Sequence, residues 1–465
     1  MTGSPRHPLD RLLGAFTVVR DGEAITALLL TGNVFLLLTS YYLIKPVREA
    51  LILAQDGAEV KSYAAAGQAV LLLVLVPLYG ALADRLPRRR LLNAVTAFFV
   101  ACLVGFYLLA RAGAPVGIPF FLWVGIFNLM IVAQFWAFAN DLYSRDQGER
   151  LFPIVAFGAS VGAVLGSAIA GALIPLLGVP QLLLVAAALL VGAAALGGRA
   201  DARERARCEA GLPARLTTAE IPAATGEYLV QGPGEDDRVT VSLPGTGGRP
   251  GTFRLVFASP YLLAIAFLLL MVNWVNTTGE YVLGRTVADA AGQAIAAGTA
   301  GGQSAAEYIG GFYSRFFFGV NLAGLVLQLV VVPRLLRVVG VRVAVLVLPV
   351  LAIAGYACLA FLPLLGVVRW VKTAENATDY SLQNTVRNVL FLPTTREQKY
   401  KAKQVIDGFF VRAGDVLSAL SIYAGATRLG FGTREFALLN LGLGALWLAL
   451  AVLTGRGYAR LTGAR

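Results

Sequence analysis

Residues 25–54 read ITALLLTGNVFLLLTSYYLIKPVREALILA, a run of 30 residues whose first half is almost wholly apolar. About 20 apolar residues in an α-helix cross the hydrocarbon of a bilayer, so this run is long enough to span it. Its second half carries Tyr41, Lys45, Arg48 and Glu49, spaced by four and three, which places them on one helical face. An apolar span with a charged stripe decides the class of the fold: helices in a membrane, with something polar to enclose.

The rest of the chain repeats the pattern. Apolar segments lie at 25–54, 61–83, 91–111, 118–140, 151–177, 180–198, 258–285, 306–332, 343–366, 367–394, 404–430 and 434–456. The chain is 57% hydrophobic and only 14% charged, with a mean hydropathy of +0.70. An ordinary soluble domain carries about 25% charged residues. The runs are continuous and do not alternate, so they are expected to be helices and not barrel strands. The expected fold is therefore all-α, with twelve transmembrane helices in two pseudo-symmetric six-helix bundles.

Residues 1–24 form a polar tail without the core of a secretory signal, so the first span is expected to be retained. Twelve spans put both termini on one side. Loops on that side hold Arg85, Arg88, Arg89, Arg90, Arg145, Arg150, Arg334, Arg337, Arg342, Arg396, Lys399, Lys401 and Lys403. The opposite loops hold chiefly Lys61, Arg111, Arg369, Lys372, Arg428 and Arg434. The positive-inside rule then places both termini in the cytoplasm, and the net charge of +12 serves topology, not nucleic-acid binding. The excess of Arg over Lys suits a GC-rich bacterium, hence a multi-pass protein of the inner membrane. Cys102, Cys208 and Cys358 have no metal-ligand spacing, and His7 is the only histidine. No nucleophile–base pair or metal cluster is visible, so neither an enzyme nor a cofactor is expected.

Residues 199–257 break the rhythm. They are polar and rich in Gly and Pro, and read as a cytoplasmic linker between bundles 25–198 and 258–456, with 457–465 as a tail. Within it, Glu227–Leu243 could form a small hairpin around Gly232-Pro233-Gly234. An Ala/Gly-rich insertion at 286–305 reads as a partly helical outer cap.

The halves share short motifs in the same order. Val47-Arg48-Glu49-Ala50-Leu51 faces Thr278-Gly279-Glu280-Tyr281-Val282, with glutamate at the matching place. Ser144-Arg145-Asp146-Gln147 pairs with Thr395-Arg396-Glu397-Gln398, and Gly162-Ala163-Val164-Leu165 with Gly414-Asp415-Val416-Leu417. Such matches are expected of two parallel repeats.

More polar residues lie within later spans. Asn273, Asn276, Thr277 and Glu280 form a stripe in the seventh. Lys372, Asn376, Asp379, Gln383 and Arg387 form one through the tenth, with Glu375 beside it. Arg315 lies in the eighth, and Asp407, Arg412 and Asp415 in the eleventh. An ionised group at a helix centre costs about 2.5–3.5 kcal/mol on insertion scales. A dozen facing lipid would cost roughly 30 kcal/mol, beyond a typical stability of about 5–15 kcal/mol. They must face one another or a wet cavity. Two readings stay open for each: gating salt bridges, or cations that bind an anionic substrate. Lys372 could also sit at the outer end of its span and snorkel. A polar stripe in both halves of a two-repeat bundle points to an alternating-access transporter.

The loop Gly80-Ala81-Leu82-Ala83-Asp84-Arg85-Leu86-Pro87-Arg88-Arg89 resembles the signature between the second and third helices of the major facilitator superfamily, with Pro87 in place of the second glycine. The segments YYLIKPVREALIL (41–53), FWAFANDLYSRDQGERLF (135–152), NTTGEYVL (276–283) and YSLQNTVRNVLFLPTTREQKYKAKQVIDGFFVRAGDVL (380–417) resemble the nucleotide transporter family, which includes ATP/ADP translocases. That resemblance implies exchange of nucleotides as an antiporter, through intramembrane lysines and glutamates. It carries the family's first-span lysine onto Arg48, with Lys45 adjacent, the seventh-span glutamate onto Glu280, and the tenth-span basic residue onto Arg387. The fourth-span glutamate has no counterpart, since that region reads Val124, Gly125 and Asn128.

The expected substrate is thus a small anion, a nucleotide, handled by a monomer in the lipid bilayer. The expected binding residues are Lys45, Arg48, Glu49, Asn276, Glu280, Asp379, Gln383 and Arg387. The expected gating residues are Asp84, Arg85, Arg88, Arg412 and Asp415. A carrier of another organic anion or lipid shares these features, and a non-transporting scaffold would act through 199–257.

Overall fold

A computed structural model describes residues 18–20, 22–83, 88–209, 251–395 and 398–463. The hairpin expected at 227–243, and Asp84 and Arg85 of the loop motif, lie outside the described residues, as does the side chain of Arg88. Every regular element among the described residues is helical. The first six are α1 (Glu23–Gln55), α2 (Gly57–Ala83), α3 (Arg88–Arg111), α4 (Gly117–Leu142), α5 (Arg145–Leu177) and α6 (Leu182–Glu209). After the short α7 (Gly251–Ala258) come α8 (Pro260–Ala296), α9 (Ala305–Val326), α10 (Val332–Phe361), α11 (Leu365–Thr378), α12 (Asn384–Leu390), α13 (Lys403–Val405), α14 (Val411–Ile422) and α15 (Thr433–Thr462).

Among the described residues, nine helical segments are long and apolar enough to cross a membrane. One of the nine is the 57-residue stretch 305–361, which Gly340, at φ 68° and ψ 175°, divides by a kink. The stretches 365–390 and 398–428, which carry polar stripes, are not among the nine. The protein is a multi-pass membrane protein of all-helical fold. The segment 286–296, expected as an outer cap, continues α8 without a break.

Local chemistry explains several helix starts. Ser144 and Gln147 form a reciprocal capping box at α5, the Gln147 N–H donating to Ser144 Oγ at 3.4 Å and the Ser144 N–H to Gln147 Oε1 at 3.0 Å. Thr395 and Gln398 repeat it, at 3.3 and 3.2 Å. The paired motifs of the two halves are therefore the same device for satisfying orphan N–H groups. Ser259 caps α8 with Pro260 in its first turn.

The chain divides into two compact units. One comprises Met1–Val47, Pro77–Ala114 and Trp123–Leu243; the other comprises Arg48–Val76, Pro115–Leu122 and Pro244–Arg465. In lipid, tails are as apolar as leucine, so helices associate through close packing and interhelical hydrogen bonds. The first unit shows both. Gly158, Gly162 and Gly166 on α5 lie on the backbone of α1; an added Cβ would come within 2.9, 2.5 and 2.6 Å of the carbonyl oxygens of Thr31, Phe35 and Thr39. Asn33 Nδ2 donates to the Ala193 carbonyl at 2.7 Å and Ser40 Oγ to that of Ala186 at 3.0 Å, tying α1 to α6. Such bonds contribute about 0.6–2 kcal/mol each. Trp123 stacks on Phe127, and Phe99 meets both edge-on.

In the second unit α8 packs on α14 and α15, and α10 on α15. Five π-helical segments interrupt it among the described residues: Leu327–Val331, Asp379–Gln383, Gln398–Ala402, Ile406–Phe410 and Tyr423–Arg428. Each widened turn breaks the regular helical phase of the side chains that follow. Two of these segments contain Asp379, Gln383 and Asp407.

Candidate functional site

The second unit holds two charged centres. The first forms where α1 ends. Gly57, at φ 86°, lets the chain reverse tightly into α2, which returns Lys61 to Glu49. Glu49 is buried; its Oε2 lies 2.6 Å from Lys61 Nζ, and its Oε1 accepts from Arg48 Nε at 3.0 Å and from a second guanidinium nitrogen. The Arg48 guanidinium lies 4.8 Å from the Phe121 ring centroid, and the Lys61 ammonium 5.5 Å from that of Tyr313. Two cations thus share one carboxylate.

The second centre joins α8, α10 and α11. Lys372 is wholly buried. Its ammonium donates to Asn276 Oδ1 at 2.8 Å and Glu375 Oε2 at 3.0 Å, and lies 3.7 Å from Glu280 Oε1. The Tyr356 hydroxyl donates to Glu375 Oε2 at 3.1 Å, and Asn376 Nδ2 to Glu280 Oε1 at 2.8 Å. Gly279 leaves the space for this crowding: an added Cβ would overlap the Tyr356 hydroxyl and come within 3.0 Å of Lys372 Nζ. Here two carboxylates share one cation, so one negative charge is in excess. Glu375 Oε1 and Asn376 Oδ1 have no hydrogen-bond partner, although both residues are at most 3% exposed.

The centres are neighbours. An added Cβ on Gly284, one turn beyond Glu280, would lie 3.7 Å from Lys61 Nζ. The Tyr281 hydroxyl donates to Glu59 Oε1 at 2.7 Å, holding α8 against α2. Glu280 interacts electrostatically with Lys61 and Glu49 as well as Lys372.

Of the expected binding residues, the structure thus joins Arg48 to Glu49, and Asn276 to Glu280 through Lys372. Arg387 instead pairs with Asp407, both about a third exposed. Asp379 is half-buried at the start of its π-helical segment, and Gln383 is buried with no partner for Nε2. Lys45 belongs to the first unit and is buried, with its ammonium 5.2 Å from the Tyr42 ring centroid. Of the expected gating residues, Arg412 pairs with Asp415 at 3.3 Å. Asp415 also accepts from Asn273 at 2.6 Å and Thr277 at 2.9 Å. Arg315 is exposed.

Lys372 does not snorkel at a helix end: Glu375 one turn on, with Asn276 and Glu280 from α8, supplies acceptors inside the protein. The apolar run starting at 61 places Lys61 in an outer loop, but α2 starts one turn earlier at Gly57. Glu375 and Tyr356 were missed as site residues. The i,i+3 spacing of Lys372 and Glu375 was the available signal; nothing local marks Tyr356.

Helix seating also revises the match between halves. Gly162 lies on Phe35 of α1, and its partner Gly414 on Leu270 of α8, 2.7 Å from the carbonyl oxygen for an added Cβ. Ten residues on from each seat, 35 to 45 and 270 to 280, stand Lys45 and Glu280. By this register Lys45, not Glu49, is the counterpart of Glu280.

No family model matches the chain, and no curated protein matches it. Solved structures do. A bacterial homologue of the human lysosomal transporter Spinster, inward-facing and unoccupied, matches at a TM-score of 0.52 and 16% identity, over 93% of this chain and 98% of its own. The nucleoside transporter NupG matches at 0.56 and 12%, over 95% and 100%. An auto-inhibited peptide transporter of the POT family matches at 0.57 and 14%, over 94% and 96%. Over nearly its whole length, the chain shares the fold of these solved transporters.

Proposed function

We propose that this protein is a transporter that moves a small anionic, phosphorylated solute, a nucleotide, across the bacterial inner membrane by alternating access. The observation that carries the reading is the meeting of two cations at Glu49, where Arg48 and Lys61 share one buried carboxylate. A phosphate can replace Glu49 as their partner. The guanidinium offers two parallel N–H donors to phosphate oxygens, and the ammonium adds a point charge. Glu49 then acts as the stand-in that keeps both cations paired before substrate arrives. Arg387 supplies a second cation once Asp407 releases it, and Lys45 adds positive potential.

Binding drives a conformational change only if it favours one state over the other. Exchanging Glu49 for a phosphate does so if the cations are aligned in one state alone. The six-helix bundles 25–198 and 258–456 are the bodies that would rock, and Asp84, Arg85 and Arg88 the latch on the cytoplasmic side, with both termini there. The motif resemblance to ATP/ADP translocases supports a nucleotide.

Uptake of labelled ATP and ADP into proteoliposomes tests the proposal. Wild-type protein is expected to accumulate label by exchange, and Arg48→Ala to lower the initial rate at least about tenfold, as loss of a charged hydrogen bond implies. A thermal-shift panel in which organic anions or lipids stabilise the protein and nucleotides do not would redirect the substrate assignment. If deleting residues 210–250 abolished cellular function but not transport, the scaffold reading would gain.

A further inference from the structure

We propose that the short helix α7, with the 398–410 segment on which it packs, forms a binding site for the headgroup of an anionic phospholipid. The site lies apart from the two charged centres, and it stands or falls independently of the nucleotide reading.

α7 stops one residue short of the membrane-spanning α8. Ser259 between them is extended, at φ −112° and ψ 110°, and Pro260 follows it, so α7 does not continue the α8 helix. The Tyr261 hydroxyl donates to the Leu390 carbonyl at 2.7 Å, and α7 packs on Gln398–Ala402. The start of α8, the end of α12 and the 398–410 segment therefore gather at one end of the second unit.

The surface there is both apolar and cationic. Val256 is wholly buried and seats α7, while Phe253 and Phe257, spaced by four, share one helical face. Phe253, Phe257 and Phe409 are 45, 59 and 50% exposed. The Phe253 and Phe409 rings meet edge-on, with centroids 5.5 Å apart, so the exposed aromatic surface is continuous across two elements. In water a continuous apolar patch is a liability; at the boundary of headgroups and acyl chains it is buried.

The stretches 251–264 and 398–406 hold Arg254, Lys399, Lys401 and Lys403 and no Asp or Glu, and the flanking Arg396 and Glu397 cancel in charge. Arg254 is exposed and Lys399 partly so, and neither has an ion pair among the described residues. Lys403 donates to the neutral Asn388 side chain at 3.2 Å, and Asp407 is taken by Arg387. The positive-inside rule accounts for cations at this end, but not for the aromatic face beside them. A phospholipid uses both: its phosphate oxygens accept from guanidinium and ammonium groups, and its acyl chains cover the rings. A free phosphate would leave the rings bare, so the rings select the lipid.

The test places a reporter in the patch. Full-length protein carrying Phe253→Trp is reconstituted in mixed vesicles of phosphatidylcholine and phosphatidylglycerol, with one or the other brominated on its acyl chains. Wild-type protein supplies the emission of the five native tryptophans for subtraction. Brominated lipid is expected to quench the reporter. Phosphatidylglycerol should compete at least about tenfold better than phosphatidylcholine, because each cation near the surface contributes about fivefold. Adding Arg254→Gln and Lys399→Gln should bring that preference toward parity. Arg369→Gln, near the other end of the 365–390 stretch, should leave it unchanged. Size-exclusion profiles and thermal unfolding confirm that each variant is folded. A reporter that neither lipid quenches overturns the proposal, since the ring then lies in water or under protein. Equal quenching by both lipids also overturns it, making α7 an apolar anchor that reads no headgroup. Inorganic phosphate that abolishes the preference, where chloride at equal ionic strength does not, would make this a free-phosphate site. A preference that appears only after deletion of residues 210–250 would make that linker, with its Glu235, Asp236 and Asp237, the occupant. Either result overturns the lipid assignment.

Discussion

Glu49 and Lys372 are both buried ions in the second unit, yet their surroundings are opposite. Glu49 has two cations, Arg48 and Lys61; Lys372 has two carboxylates, Glu280 and Glu375. Neither centre is a one-to-one ion pair. The difference teaches that balance is struck over the cluster and not pair by pair. Arg387–Asp407 is the contrasting case, a simple pair with partly exposed side chains.

The comparison can be broken by experiment. The largest effect is expected from Lys372→Met, which leaves two buried carboxylates without a cation. Losing one partner of a buried pair costs about 3–5 kcal/mol. Thermal unfolding in detergent should show a loss on that scale, partly recovered by adding Glu375→Gln; an unchanged midpoint would mean that Lys372 is not the counter-ion of this centre. Glu49→Gln comes next, at about 1.5–3 kcal/mol, the scale of a lost hydrogen bond to a charged group. Its loss should be eased by nucleotide or inorganic phosphate if an anion can replace the carboxylate, and left alone otherwise.

Helix seating gives a comparison of the two units. Gly162→Leu and Gly414→Leu each force a side chain onto a backbone carbonyl, of Phe35 and Leu270, and should each cost about 1–3 kcal/mol. Unequal losses would show that only one of the two contacts is close in the native protein. The smallest expected change is from Arg387→Ala, within about 1 kcal/mol in stability since the pair is partly exposed. Its uptake rate is the sharper measurement: a loss there without a loss of stability would assign Arg387 to substrate.

Much of this architecture is legible in the chain itself. The apolar runs predict the first seven long helices to within a few residues at most ends, though α6 and α8 extend about a further ten residues each at their C-terminal ends. The Ser144 and Thr395 motifs, noticed as a repeat, prove to be the same capping box, because the device is local and needs no tertiary partner. The pairing of Glu49 with Glu280 fails by one turn. Short motif matches carry no information on which face a partner helix covers, whereas Gly162 and Gly414 on their seats do.

The sequence by itself determined that this is a helical membrane protein with charges that must meet inside it. Both follow from the cost of placing an ion or an unpaired peptide group in hydrocarbon, which is the same in any fold. Only the tertiary structure decided which charges meet. Lys372 finds Asn276 from 96 residues away, and Lys61 turns inward to Glu49, because helix packing and the Gly57 turn bring those faces together. Spacing along one helix sets which residues share a face; the neighbouring helix sets what that face touches.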